Sequence, residues 1–186
     1  MHVTLPCPRL RAEAAGLQRF DATVSVLNES ALRPEVVLIV ENLEPGHTLA
    51  DLPGVALIHG LGAGAPILAS LDWIATAAEV LYWGDIDRAG LAILASVRRA
   101  GIPARTVFMD EATLDAYATS CHDTDTQMAS HEVPAQLSEA EAALYNRLSA
   151  YQQVHGRELQ LEQEHIPIAL ACKVIQDALR STSSAG

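Results

Sequence analysis

The sequence predicts an α/β domain built on a mainly parallel central sheet of about four strands, with helices on both faces. Three observations carry this expectation. Short continuous apolar runs rich in β-branched residues, such as Val36 to Val40, suit parallel strands covered on both sides. Stretches with helical spacing alternate with these runs, which is the pattern of right-handed strand–helix–strand crossovers. The chain has 186 residues, 49% hydrophobic and 19% charged, a globular composition long enough for one packed domain.

Taken in order, residues 1–20 contain Pro6 and Pro8 and show no clear period. Phe20 to Leu27 reads as a short edge strand. Val36 to Val40 is a central strand that ends at Glu41-Asn42. Val55 to His59 is the next strand, followed by a glycine-rich turn at Gly60–Gly64. Pro66 then opens a helix with Ile67, Leu68, Leu71, Ile74 and Ala75 on its buried stripe. Val80 to Trp83 is the third strand and runs into Asp85 and Asp87. The helix after Asp87 carries Leu91, Leu94 and Val97 and stops near Gly101. Ala104 to Met109 is the fourth strand, and Asp110 caps a helix through Leu114 and Tyr117. Cys121 to Val133 is polar and aperiodic, hence a loop. Ser138 and Glu141 form a capping box for a helix reaching about His155-Gly156. Leu159 to Glu164 alternates apolar with acidic or polar residues, as a half-exposed strand does. Pro167 opens the last helix, with Ile168, Cys172, Ile175 and Leu179 on one face. Residues 21–180 form one domain, and 181–186 are a disordered tail.

Composition narrows the function. No apolar run approaches the length that spans a bilayer, and the first residues lack a signal-peptide core. The three cysteines, Cys7, Cys121 and Cys172, are far apart and form no CxxC pair, so a cytoplasmic location fits. Net charge is −11, with one lysine and eleven arginines. That balance opposes non-specific nucleic-acid binding by the surface as a whole, but leaves room for a local site where cations meet phosphate.

The chemistry concentrates at strand ends. Glu41 follows one strand, and Asp85 and Asp87 follow another. Ligands of open parallel sheets gather outside such ends. If the chain stays extended to Asp87, the two aspartates share a face, about 6.5–7 Å apart. Carboxylates so close repel each other unless something positive lies between them, and hard oxygen ligands suit Mg²⁺ or Mn²⁺. The plainer reading of Asp87 is a helix cap, and that of Glu41 a turn cap.

The ordered set Val40-Glu41-Asn42, the Gly60–Gly64 turn and Tyr82-Trp83-Gly84-Asp85-Ile86-Asp87-Arg88-Ala89-Gly90 resembles the Toprim pattern of topoisomerases, primases and nucleases. Within that Rossmannoid superfamily it is most similar to the C-terminal domain of the Wadjet nuclease subunit JetD, related to the topoisomerase VI A subunit. Residues 93–98, 109–114 and 161–166 support the likeness. The resemblance implies a metal-dependent DNA endonuclease for plasmid defence, with Glu41, Asp85 and Asp87 as catalytic metal ligands on Mg²⁺ or Mn²⁺. It implies Glu162 and Glu164 as further ligands, and plasmid DNA and a condensin-like SMC complex as partners, with a homodimer as an option. Arg88 stands where the usual turn often has proline, and is the expected contact to DNA phosphate. The arm domain of full-length members does not precede this stretch, so residues 1–20 read as its remnant or as a disordered segment.

Other readings stand beside these. Glu162 and Glu164 suit a solvated strand face equally well, and Arg88 an exposed first helical turn. The glycine cluster at 60–64 has no lysine of the P-loop kind. Cys121, His122, Asp123 and His131 match no standard zinc spacing, and Arg98-Arg99 suits a helix C-terminus. Two alternative functions remain: a docking module without catalysis, and a DxD phosphatase with Asp85 as nucleophile and Asp87 as acid. The late position of the motif and the Arg-Ala-Gly after it weigh against the phosphatase.

Overall fold

The computed structural model describes residues 1–41, 51–125 and 130–183. Asn42 of the first acidic motif, residues 126–129 of the expected loop and the end of the chain beyond 183 lie outside them. The main sheet has six strands rather than four, in the order β2-β1-β4-β3-β5-β6. The four expected strands form its parallel part. They are β3 (Val36–Val40), β4 (Val55–His59), β5 (Glu79–Trp83) and β6 (Ala104–Thr106). β3 lies between β4 and β5, and every residue in it is buried. A strand covered on both faces needs no polar alternation, which is why it reads as a continuous apolar run.

The two added strands come from the N-terminus. β1 (His2–Thr4) pairs antiparallel with β4 and with β2 (Arg19–Asp21). Residues 1–20 are therefore part of the sheet rather than a segment apart from it. Pro8 opens α1 (Pro8–Glu13), whose Leu10 is buried. The expected edge strand at 20–27 is short, because Thr23 caps α2 (Val24–Glu29) by accepting a hydrogen bond from the Val26 N–H at 3.3 Å.

The two faces of the sheet carry separate cores. Val37, Ile39, Val80 and Tyr82 pack with α4 (Arg88–Arg99) through Leu91, Leu94 and Val97, and with α6 (Glu139–His155) through Leu144 and Leu148. Val36, Leu38, Leu81 and Trp83 face the other way, onto Ala171, Cys172 and Ile175 of α7 (Ile168–Ser183). α7 continues three residues past the expected end of the domain at 180. The helix expected after Pro66 is a 3-10 run over Gly62–Ser70 followed by α3 (Asp72–Thr76). Asn28 holds this junction, donating to the Ser70 carbonyl and accepting from the Asp72 N–H, both at 2.9 Å.

The caps read from sequence are present. Asp110 accepts from the Thr113 N–H at 2.7 Å at the start of α5 (Glu111–Ala116), and Ser138 with Glu141 forms the capping box of α6. Glu141 does more than cap. Its carboxylate pairs with Arg98 at 2.5 and 3.0 Å and accepts from the Thr106 hydroxyl at 2.9 Å, tying α4, β6 and α6 together. Part of the expected 121–133 loop is instead β7 (His122–Thr124), which pairs antiparallel with β8 (Glu158–Gln160). Among the described residues no helix is long and apolar enough to cross a membrane.

Candidate functional site

Glu41 and the two aspartates meet because β3 and β5 are neighbours in register. Val40 stands opposite Trp83, and the Glu41 N–H donates to the Trp83 carbonyl at 3.2 Å, so the ladder continues one residue past β3. The Asp85 N–H then donates to Glu41 Oε2 at 3.4 Å. Gly84 makes this approach possible: a Cβ there would lie 2.9 Å from Glu41 Oε2 and 3.1 Å from the Tyr82 hydroxyl.

Extended backbone persists to Asp87, with φ −148° and ψ 176°. Ile86, buried between the two aspartates, exchanges both backbone hydrogen bonds with Leu161, at 2.9 and 3.1 Å. The two carboxylates are engaged differently. Asp85, 8% exposed, accepts from the Gln163 N–H at 2.8 Å on Oδ1 and from the Gln160 side-chain amide at 3.0 Å on Oδ2. Asp87 caps α4, accepting from the Gly90 N–H at 2.6 Å. Each carboxylate oxygen has two acceptor positions, so these bonds leave capacity on both residues.

Burial dominates the electrostatics, and mutual repulsion adds to it. Burial, then the charges of Asp85 and Asp87, push the Glu41 carboxyl up to about 7, against a hydrogen bond from the Asp85 backbone. Burial and the Asp85 charge raise Asp87 to about 6, against its cap bond. Burial also raises Asp85 above the usual carboxylate range, opposed by Gln163 and Gln160. Among the described residues no arginine or lysine forms an ion pair with any of the three. The set is thus acidic, partly desolvated and uncompensated, and hard oxygen donors in that state fit a divalent cation. The described residues do not, however, form a closed group of three metal-ligating side chains. Their hydrogen bonds orient Asp85 toward β8 and Asp87 toward α4.

Arg88 corrects the expectation of a phosphate contact. Its side chain is fully buried and pairs with Glu158 through Nε, at 2.9 Å, and Nη2. Nη1 donates to the Ser130 carbonyl at 3.0 Å and meets His131 Nδ1 at 2.9 Å. A cation on the first turn of a helix opposes the macrodipole. That conflict was a readable sign that Arg88 needed a carboxylate partner, although the partner lies 70 residues on. From the segment after β8, main-chain and glutamine groups reach Asp85. Glu162 is half-exposed and lies 3.7 Å from both His122 and His165, and its charge raises the Asp85 carboxyl. Glu164 sits half-buried in the 3-10 turn Gln163–His165. Gln160 and Gln163 are the residues that sequence reasoning missed, since neither carries a charge and their role follows only from the Ile86–Leu161 bridge.

Gly90 closes the motif sterically. A Cβ there would stand 2.5 Å from the Asp85 carbonyl oxygen. Gly90→Ala gains up to about 1 kcal/mol of helix propensity. It also overpacks against rigid backbone, at a cost of about 1–3 kcal/mol. The expected net result is a lower urea midpoint with an unchanged m-value; a raised midpoint would show that the turn relaxes freely.

No curated protein matches the chain. A family model for the Wadjet protein JetD, C-terminal, matches residues 2–175, spanning both the acidic strand ends and the β8 segment that clamps Asp85. The chain therefore belongs to the family of JetD C-terminal domains, which ties it to the Wadjet anti-plasmid defence system.

Proposed function

We propose that this domain is a Toprim-like, divalent-metal-dependent DNA endonuclease that cleaves plasmid DNA within a Wadjet assembly. One observation carries the reading: Glu41, Asp85 and Asp87 converge at the ends of two adjacent parallel strands, where burial and the Asp85 charge raise the Glu41 and Asp87 carboxyls, and among the described residues no arginine or lysine pairs with any of the three. Glu41, Asp85 and Asp87 would hold Mg²⁺ or Mn²⁺, with Glu162, whose charge raises the Asp85 carboxyl, as an outer carboxylate. When bound, the cation supplies Lewis-acid polarisation of a scissile phosphate. The chain's own part is to fix the oxygens. Asp87 is anchored by its cap bond, Asp85 by β8, and Glu41 by backbone bonds to both neighbouring strands.

The charge of −11 makes the isolated domain a poor grip on DNA. The cationic contacts come from partners, for which a condensin-like SMC complex is the expected source. Supercoiled plasmid incubated with Mn²⁺ at low salt should show weak nicking by the domain alone and much stronger cleavage with Wadjet partners. Asp87→Ala should abolish both, and cleavage that survives it places the chemistry elsewhere. A docking module is the second reading, favoured by the structural work that Asp85 and Asp87 already do as clamp partner and helix cap. It predicts no cleavage under any reconstitution.

A further inference from the structure

Asp85 is the one acid of the three whose two oxygens are both held by a distant part of the chain. The Gln163 main chain holds Oδ1 and the Gln160 side chain holds Oδ2, so the plane of the carboxylate is set by the β8 segment. That segment is itself braced. Glu158, 3% exposed, pairs with buried Arg88 at the start of α4, and Leu161 is bridged to Ile86 between the aspartates. Gln160 stands opposite His122 in the β7–β8 pair. The brace therefore runs from both ends of the Asp85–Arg88 turn onto Glu158, Gln160, Leu161 and Gln163 of one strand and its extension. Within this frame only Gln160 is a removable side-chain donor to the carboxylate, because Gln163 acts through its backbone.

Gln163 adds a second observation. Its side-chain Oε1 is buried and has no hydrogen-bond partner among the described residues; the residue is 4% exposed. The chemistry of the position also fits a neutral amide. A carboxylate at 160 would add another negative charge to a set that is already mutually repelling, and an apolar side chain would leave Oδ2 free to rotate.

We propose that Gln160 is a positioning residue of the acidic site, whose side-chain amide fixes the Asp85 carboxylate for a divalent cation. The inference rests on the metal-binding reading above. Groups that orient metal-ligating side chains typically change metal affinity by about 10–100-fold when removed.

The test is Mn²⁺ binding to the full chain, followed by electron paramagnetic resonance, together with the melting temperature of each metal-free protein. Gln160→Met keeps the side-chain length and removes the donor; Gln160→Asn keeps the amide but withdraws it by one methylene, and protects the test should the Met variant misfold. Tyr151→Phe is the control for a merely structural effect. It removes the hydroxyl that donates to Asp123 at 2.8 Å on the strand β7 paired with β8, without touching Asp85. The expected result is Mn²⁺ affinity reduced about tenfold or more in both Gln160 variants and unchanged in Tyr151→Phe. Equal affinity in wild type and both Gln160 variants overturns the positioning role and leaves the metal reading intact. An equal loss in Tyr151→Phe also overturns it, because the stability of the β7–β8 sheet would then explain everything. No Mn²⁺ binding by the wild type overturns the metal reading and the positioning role with it.

Discussion

Arg88→Ala is expected to destabilise the fold by about 3–5 kcal/mol, the range for removing one partner of a buried ion pair. The guanidinium is fully buried and binds Glu158, the Ser130 carbonyl and His131. Removing it strips the buried Glu158 of its cation and leaves a void where one of the largest buried side chains stood. At about 2–4 °C per kcal/mol for a chain of this size, the melting temperature should fall by roughly 6–20 °C. The pair is screened little by salt, so the loss should persist at high ionic strength. Replacing Arg88 and Glu158 together by apolar residues of similar volume should recover much of it, since a buried pair is often no better than good packing. An exposed arginine on a first helical turn would behave otherwise, with changes within about 0.5 kcal/mol. A loss that small in thermal unfolding would overturn the buried assignment and reopen the phosphate contact.

The contrast between Arg88 and its neighbours shows what a sequence reveals about such a site. Glu41, Asp85 and Asp87 were legible because strand ends are legible. The apolar runs of β3 and β5 mark where each strand stops, and an acid at a buried strand's end is conspicuous. Their convergence needed only that β3 and β5 be neighbours, which the register confirms. β1 was not legible because three residues, two of them buried, carry no period, and its partner β4 lies more than fifty positions away. The Arg88–Glu158 pair and the Gln160 clamp were hidden for a related reason. Both join residues at least seventy positions apart, and the Ile86–Leu161 bridge brings the two segments together. The helix after Pro66 was expected from apolar spacing alone. The glycines at 62 and 64 and the interior proline favour the tighter 3-10 run that forms instead.

Asp85→Asn is expected to raise the melting temperature of the metal-free protein at pH 8 while abolishing its response to Mn²⁺. The isosteric amide keeps an acceptor for the Gln163 N–H, and the Gln160 amide can turn to accept from the new NH₂. What disappears is a charge that raises Glu41 and Asp87. The sign with pH follows from those shifts. Glu41 moves from an ordinary value of 4.5 to about 7 in the fold, and Asp87 from 3.8 to about 6. Below the ordinary values both are protonated in either state and cost nothing. As pH rises toward the folded values, the unfolded chain releases these protons first, so stability falls across that window and stays low above about 7. The wild-type protein without metal should therefore lose several degrees between pH 4.5 and pH 8 from these groups, and Asp85→Asn should lose less. The stabilising effect of the substitution should be largest at pH 8 and fade toward pH 4.5. Mn²⁺ should reverse the order. Binding only to the folded state stabilises the wild type in proportion to the logarithm of its concentration above the dissociation constant, and leaves the variant unmoved. Equal Mn²⁺ shifts in the two proteins would remove Asp85 from the site. A variant less stable than wild type at pH 8 would show that its two hydrogen bonds outweigh the repulsion it creates.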